Sequence, residues 1–317
     1  MAIPTYASPL ERTWAWTYRV LCVLIFVFLM APILIVIPLS FNAEPYFTFT
    51  DKMLALDPDG YSTRWYDLLL TFGMKAPDAV RDGGWWADMW ANSTWLKAAK
   101  NSVIIGFWST ILATALGTLA ALGLSRPEMP GRKVIMAILI SPMIVPIIIT
   151  ATGMFFFYSN PCGILQWVGI SAQCGRLTST YTGVILAHTI LGIPFVIITV
   201  TATLSGFDQS LIRAAASLGA NPRTTFFKVI LPLILPGVIS GALFAFVTSF
   251  DEVVTVLFIA GPEQQTIPRQ MWNGIREQIS PAILSVATIL VIISVLLLAS
   301  VELLRRRSER LRGVAPA

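Results

Sequence analysis

SGFDQSLIRAAASLGANPRTTFFKVILPLILP, residues 205–236, is the longest amphipathic, non-spanning stretch between two strongly apolar ones. Asp208 is placed to cap a short helix. Gln209 to Leu218 supply good helix formers, with Ala214, Ala215 and Ala216 at the centre. Gly219 stands where a helix terminator belongs, and Asn221-Pro222 reads as an N-cap followed by proline at the first helical position. The stretch therefore predicts a helix of about ten residues, near 15 Å long, then a sharp turn, then a second helix that runs into a membrane. Three alanines in a row leave a smooth face suited to a groove on another protein. A helix this short is marginal alone in water. It needs a partner.

Composition places the whole chain in the same setting. Its 317 residues are 56% hydrophobic and only 12% charged, with a mean hydropathy of +0.74. Soluble domains carry about 25% charged residues, so a soluble globular domain is excluded. The charges are segregated into blocks between long uncharged runs, the pattern of an all-α membrane protein that crosses the bilayer several times. The net charge of +5 comes from bases at the membrane edges, which topology explains better than nucleic acid.

Outward from the opening stretch, six apolar runs predict six transmembrane helices. Residues 1–19 read as a cytoplasmic interfacial N-terminus, with Trp14, Trp16 and Tyr18 at headgroup level. The apolar run after them is too long for a cleavable signal peptide. The first span is Val20–Phe41, kinked at Pro32 and Pro38; the second, after the polar and Trp-rich segment Asn42–Lys97, is Asn101–Leu124. WYDLLLTF and WWADMWANSTW in that segment read as short helices on the membrane surface, an aromatic belt or a docking surface for an external protein. Val134–Tyr158 is the third span, Ser179–Leu204 the fourth, Val229–Ile259 the fifth and Ile279–Leu304 the sixth. Arg126, Arg132, Lys133, Arg213, Arg223, Lys228 and the terminal arginines then fall on one side, which the positive-inside rule makes cytoplasmic together with both termini.

Candidate chemistry is sparse. Cys162 and Cys174 share an external loop, in a compartment where disulfides persist; a bridge there would contribute roughly 2–3 kcal/mol, with two free thiols as the alternative. Cys22 reads as packing in the first span. His188 counts to about 14 Å into the fourth span, near midplane, where it serves a substrate path or bonds to a neighbouring helix. In the fifth span Phe244, Thr248, Asp251 and Thr255 share one helical face. Asp251, roughly 28 Å from the cytoplasmic end, and its neighbour Glu252 are candidates to hold a cation, or else to pair with Lys97, Lys100 or Arg269. No metal-ligand cluster, phosphate loop or nucleophile elbow is present, so no catalytic residue and no bound cofactor or metal are expected.

Ala214-Ala215, Gly219 after three intervening residues, and Val229-x-Leu231-Pro232 after nine more resemble the EAA loop of ABC-importer permeases, with Leu218-Gly219-Ala220 at its core. Arg213 stands where that family usually has glutamate. The resemblance implies that Arg213, Ala214, Ala215, Leu218, Gly219, Asn221 and Pro222 dock on an ATPase subunit. NSVIIGFWSTILATALGTLAALGLSR, AHTILGIPFVI and FAFVTSFDEVVTVLFIAGP are similar to the permeases of spermidine/putrescine importers, over about Trp95 to Leu304.

This likeness implies a type I ABC importer permease with a first helix and long periplasmic loop over 20–97. A core domain over 98–304 carries the coupling loop 205–228, and a basic cytoplasmic tail covers 305–317. It implies a bacterial inner-membrane subunit that is not an enzyme, partnered by a second permease (a heterodimer), two ATPase subunits that bind ATP and Mg, and a periplasmic solute-binding protein. Thr248, Asp251, Glu252 and His188 would line the path of a polyamine-like cation. An opine, amino-acid derivative, thiamine or iron are alternative solutes of the same architecture. An ion-gradient-driven secondary transporter would show inverted repeats, and none is apparent.

Overall fold

The structure, a computed structural model, describes residues 8–126, 128–163, 175–208, 210–277 and 280–311. It is mostly helical; among the described residues there is no strand, only one bridge pairing Asn42 with Tyr61. The helices are α1 (Pro9–Leu39), α2 (Asp51–Leu54), α3 (Arg64–Thr71), α4 (Gly83–Asn92), α5 (Thr94–Leu124), α6 (Arg132–Ile144), α7 (Ile147–Ser159) and α8 (Tyr181–Ser205). They continue as α9 (Ser210–Ser217), α10 (Pro222–Thr225), α11 (Leu231–Asp251), α12 (Val254–Ile259), α13 (Ile267–Glu277) and α14 (Ala282–Leu311). Among the described residues, four helical stretches are long and apolar enough to cross a membrane, and a fifth if the bent pair α6–α7 is one span. The described apolar part of α14, Ala282–Leu296, is shorter. The chain divides into two compact units, Met1–Met89 with Gly274–Ala317, and Trp90–Asn273.

In the first unit, the interfacial segment and the first span are one helix rather than two segments. Ser8 starts it with a capping box: the Ser8 hydroxyl accepts from the Glu11 N–H while the Glu11 carboxylate accepts from the Ser8 N–H. Cys22 is exposed and free, not packed as its place in a span suggests, because α1 presents almost its whole apolar length outward. Beyond α1 the chain folds around Asn42. Its amide donates to the carbonyls of Tyr46 and Thr48, and its own carbonyl accepts from the Trp65 indole at 2.7 Å. Both predicted surface helices are present as α3 and α4. Their tryptophans divide, however: Trp65 and Trp85 are buried, whereas Trp86 is exposed. Asp88 accepts from the N–H groups of Lys75 and Ala76, and Arg81 pairs with Asp67 while lying over the Trp85 ring.

The second unit is built on α5, α8 and α11. Close approach requires small residues where backbones meet, and three glycines supply it. A Cβ on Gly117 of α5 would stand 2.7 Å from Cβ of Val196 of α8. One on Gly241 of α11 would overlap Thr199 and Val196, and one on Gly192 of α8 would press on Ala113 and Ala245. Around this seam Ala121, Val200 and Ile234 are buried.

Two predicted spans are interrupted. The third bends by 104° between α6 and α7. Pro146 forces Val145 before it into an extended conformation (ψ 136°), which ends α6 outright rather than kinking it. The fifth stops at Asp251, where Glu252 turns extended (ψ 122°) and α12 begins afresh at Val254. Thr255 therefore lies beyond the break and does not continue the face of Phe244, Thr248 and Asp251.

Candidate functional site

The loop 205–228 folds as its local signals dictate. Asp208 precedes α9, its carboxylate accepting from the Ser210 N–H at 2.8 Å and the Ser210 hydroxyl at 2.6 Å. These bonds hold the Asp208 carboxyl below its usual pKa. Helix α9 spans Ser210–Ser217, and Gln209 lies outside the described residues. At its end Gly219 adopts φ +80°. The Gly219 N–H donates to Ala216 O and the Ala220 N–H to Ala215 O, the paired bonds of a Schellman stop. Asn221 then caps α10 by accepting from the Thr224 N–H at 2.8 Å, with Pro222 at the first helical position.

The exposed surface of this loop is less smooth than three alanines suggest. Ala215 is turned inward, whereas Ala214, Arg213, Asn221 and Pro222 are exposed. Leu218 is 88% exposed, a large apolar side chain projecting from the turn. A buried partner face is what such a residue lacks.

The acidic pair separates into two environments. Asp251 ends α11 exposed, with Thr248 half-buried one turn earlier on the same helix. Glu252 is buried, and its Oε1 accepts from the Thr255 N–H at 2.8 Å. That bond ties its carboxylate to the first turn of α12. Arg269 does not pair with either acid: its Nη1 donates to the carbonyls of Val256 and Ala260 at the C-terminal end of α12. The break after α11 is thus held from both sides.

His188 of α8 is buried between helices. Its Nδ1 lies 2.8 Å from the Ser249 hydroxyl of α11, which lies 2.9 Å from the Ser109 hydroxyl of α5. Ser109 also reaches Gly106 O at 3.2 Å. The Ser109 hydroxyl donates to Ser249 Oγ and lies within reach of the Gly106 carbonyl, while Ser249 Oγ also shares a hydrogen bond with His188 Nδ1. His188 Nε2 has no hydrogen-bond partner among the described residues. The line crosses three helices and fixes their register.

Sequence reading missed Ser109 and Ser249, and it missed Asn101. The Asn101 amide donates to the carbonyls of Glu263 and Gln265, its oxygen accepts from Tyr181, and the Ser102 hydroxyl accepts from the Ile267 N–H. Asn101, Ser102 and Ser109 stand, with Thr110, Thr114 and Thr118, as the polar residues of an otherwise apolar run, and that pattern was the available signal. Cys162 is buried and disulfide-bonded; Cys174 lies outside the described residues.

A family model described as "Binding-protein-dependent transport system inner membrane component" matches residues 113–311. The spermidine/putrescine transport system permease protein PotC of Haemophilus influenzae is 29% identical over 285 residues, 90% of this chain and 95% of that one. The putrescine transport system permease protein PotI of Escherichia coli K12 is 30% identical over 275 residues, 86% of this chain and 85% of that one. A solved bacterial ABC transporter involved in the import of the acidic polysaccharide alginate superposes with a TM-score of 0.61 at 17% identity, over 94% of this chain and 98% of that one. At that identity the superposition speaks for the fold alone.

Proposed function

The chain belongs to the binding-protein-dependent transport system inner membrane component family, and we propose that it forms, with a second permease, the path of an ATP-driven importer for a polyamine-like cation. It has the type I fold of an ABC importer permease and is a multi-pass membrane protein. In this reading ATP and Mg bind to separate ATPase subunits, and a periplasmic binding protein delivers the solute. Closure of the ATPase pair displaces α9, and the rigid seam of α5, α8 and α11 carries that displacement across the bilayer. Nucleotide shifts the two states only by its differential affinity for them.

The observation that carries the reading is the loop 205–228: a capped helix, a left-handed stop and a proline restart, with Leu218 and Arg213 exposed at its tip. A single alanine-rich turn presented in this way gains stability only when another surface covers Leu218. Arg213 would meet a carboxylate of the ATPase, in place of the glutamate usual at that position. The cationic solute is supported by the names of the relatives and by the exposed carboxylate of Asp251 at the end of α11. Charge-assisted hydrogen bonds to ammonium groups are its natural chemistry. His188 and Glu252 act as supports in this scheme, tying α8 to α11 and starting α12, while Thr248 extends the polar face below Asp251.

Uptake of labelled polyamines into proteoliposomes containing both permeases, the ATPase and the binding protein tests it. Uptake that needs both ATP and the binding protein is expected. Uptake driven by an ion gradient alone would overturn the mechanism, and exclusive uptake of an anionic or neutral solute would overturn the substrate class.

A further inference from the structure

The helix that leaves the docking loop is irregular. Pro222–Thr225 is α-helical, Phe226–Ile230 forms a π turn, and Leu231 resumes α geometry. The Leu231 N–H reaches back to the carbonyl of Phe226, so the turn holds one residue more than an α turn. Pro232 is the local cause. It has no N–H to offer Lys228, and in a regular helix its ring would clash with that carbonyl.

Beside this turn lies a cavity of about 550 Å³. Thr114, Ala115 and Thr118 of α5 form one wall, and Phe226 and Leu231 form part of the other. The cavity is thus bounded by the acceptor and the donor of the π hydrogen bond themselves. Val238 and Ala242 of α11 also line the cavity, and on another face of α5 Gly117 lies against Val196 of α8. The turn therefore joins an exposed docking loop to a three-helix body that is close-packed where α8 meets α5 and α11 and open where the cavity lies between α5 and α11.

We propose that Phe226–Ile230 is the compliant joint of the coupling path, and that the cavity is the space into which the Phe226 ring swings when α9 is displaced. The proposal rests on the reading of 205–228 as the docking loop. Passing the extra residue along the helix exchanges one five-residue bond for one four-residue bond. It moves a side chain by about 1.5 Å along the axis and about 100° around it. The step runs toward α11, because toward α10 it would bring the Pro232 ring back against the Lys228 carbonyl, and the turning ring must have vacant volume beside it. A joint of this kind would convert a push on α9 into a rotation at the base of α11.

Spin labels at Ile111 and Phe227, both exposed, read the joint in the intact importer with its ATPase subunits. Between nucleotide-free and ATP-trapped states the distance is expected to change by on the order of a few Å. An unchanged distance in an importer that still turns over overturns the joint. A second measurement fills the space: Ala115→Phe is expected to lower uptake at least about tenfold, with ATP hydrolysis and ATPase co-purification retained, while Ala115→Ser transports as the unvaried protein does. Normal uptake by the Ala115→Phe importer overturns the cavity's role and leaves the docking reading standing. An unvaried permease that purifies without any ATPase would overturn the docking reading on which the joint rests.

Discussion

Gly219 is the residue at which local geometry and proposed function meet most directly. Its φ of +80° is left-handed, yet a Cβ built on it would meet nothing within 4 Å. A substitution there is penalised by backbone strain and not by packing. For an ordinary L-residue the left-handed region costs about 1–2 kcal/mol, and asparagine visits it more readily. Gly219→Asn is therefore expected to keep uptake near that of the parent, while Gly219→Val loses it with membrane insertion intact. Uptake per ATP hydrolysed in proteoliposomes reads the difference, and equal values for the two variants would sever the turn's conformation from coupling. The acidic pair gives a second contrast. Asp251→Asn keeps shape but removes an exposed charge, and uptake of a cationic solute should fall sharply with ATPase assembly unchanged. Glu252→Ala removes the cap of α12, a loss of about 1 kcal/mol by analogy with helix N-caps, so it should lower thermal stability. Undiminished uptake by Asp251→Asn would take that carboxylate out of the path.

At the scale of the helix, the seam of α5, α8 and α11 holds because Gly117, Gly192 and Gly241 let backbones touch. A Cβ on Gly237 would collide with the Thr203 hydroxyl, and Gly237, Gly241 and Ala245 recur every four residues along α11. Gly241→Leu should therefore prevent stable folding, seen as loss of detergent-stable protein; overpacking alone costs typically 1–3 kcal/mol. Gly153→Leu on α7, where a Cβ meets nothing within 4 Å, should express normally, and a shared phenotype would refute the seam. How far such elements were legible depends on where their causes lie. The docking loop was readable because each signal acts within a few residues: Asp208 on Ser210, Gly219 on its own φ, Asn221 on Thr224. The end of α6 was half readable, since Pro146 marks it but a kink and a stop share that mark. The break after Asp251 was not, because SFDEVVTV holds neither proline nor glycine. Its stabilising partners include the Arg269 guanidinium, which reaches α12 from beyond it. Of the Ser109–Ser249–His188 line only the bond from His188 to a neighbouring helix was legible; its serine partners lie far away in sequence and meet it only when three helices pack.

For the molecule as a whole, the order of apolar runs and the side on which their flanking charges fall bear the most weight. Arg213, Arg223 and Lys228 cluster in and just after the docking loop, whereas residues 42–92 carry Glu44 and Asp51, Asp57, Asp59, Asp67, Asp78, Asp82 and Asp88 against fewer bases. The positive-inside rule leads us to expect the first set on the cytoplasmic side and the second facing outward. The folded segment around Asn42, with its indole and carboxylate bonds to backbone, is too polar to sit within the hydrocarbon and must lie wholly on one side. Two positions report the arrangement, since Leu218 is 88% and Val80 83% exposed. In a Cys22→Ser background, Leu218→Cys should react with a membrane-impermeant maleimide only in inside-out vesicles, and Val80→Cys only in right-side-out spheroplasts. Binding of the ATPase should protect Leu218→Cys and leave Val80→Cys unchanged, because only the former belongs to the docking surface. Labelling of Leu218→Cys from the outer face would place α9 away from ATP, and coupling through this loop would then be physically impossible.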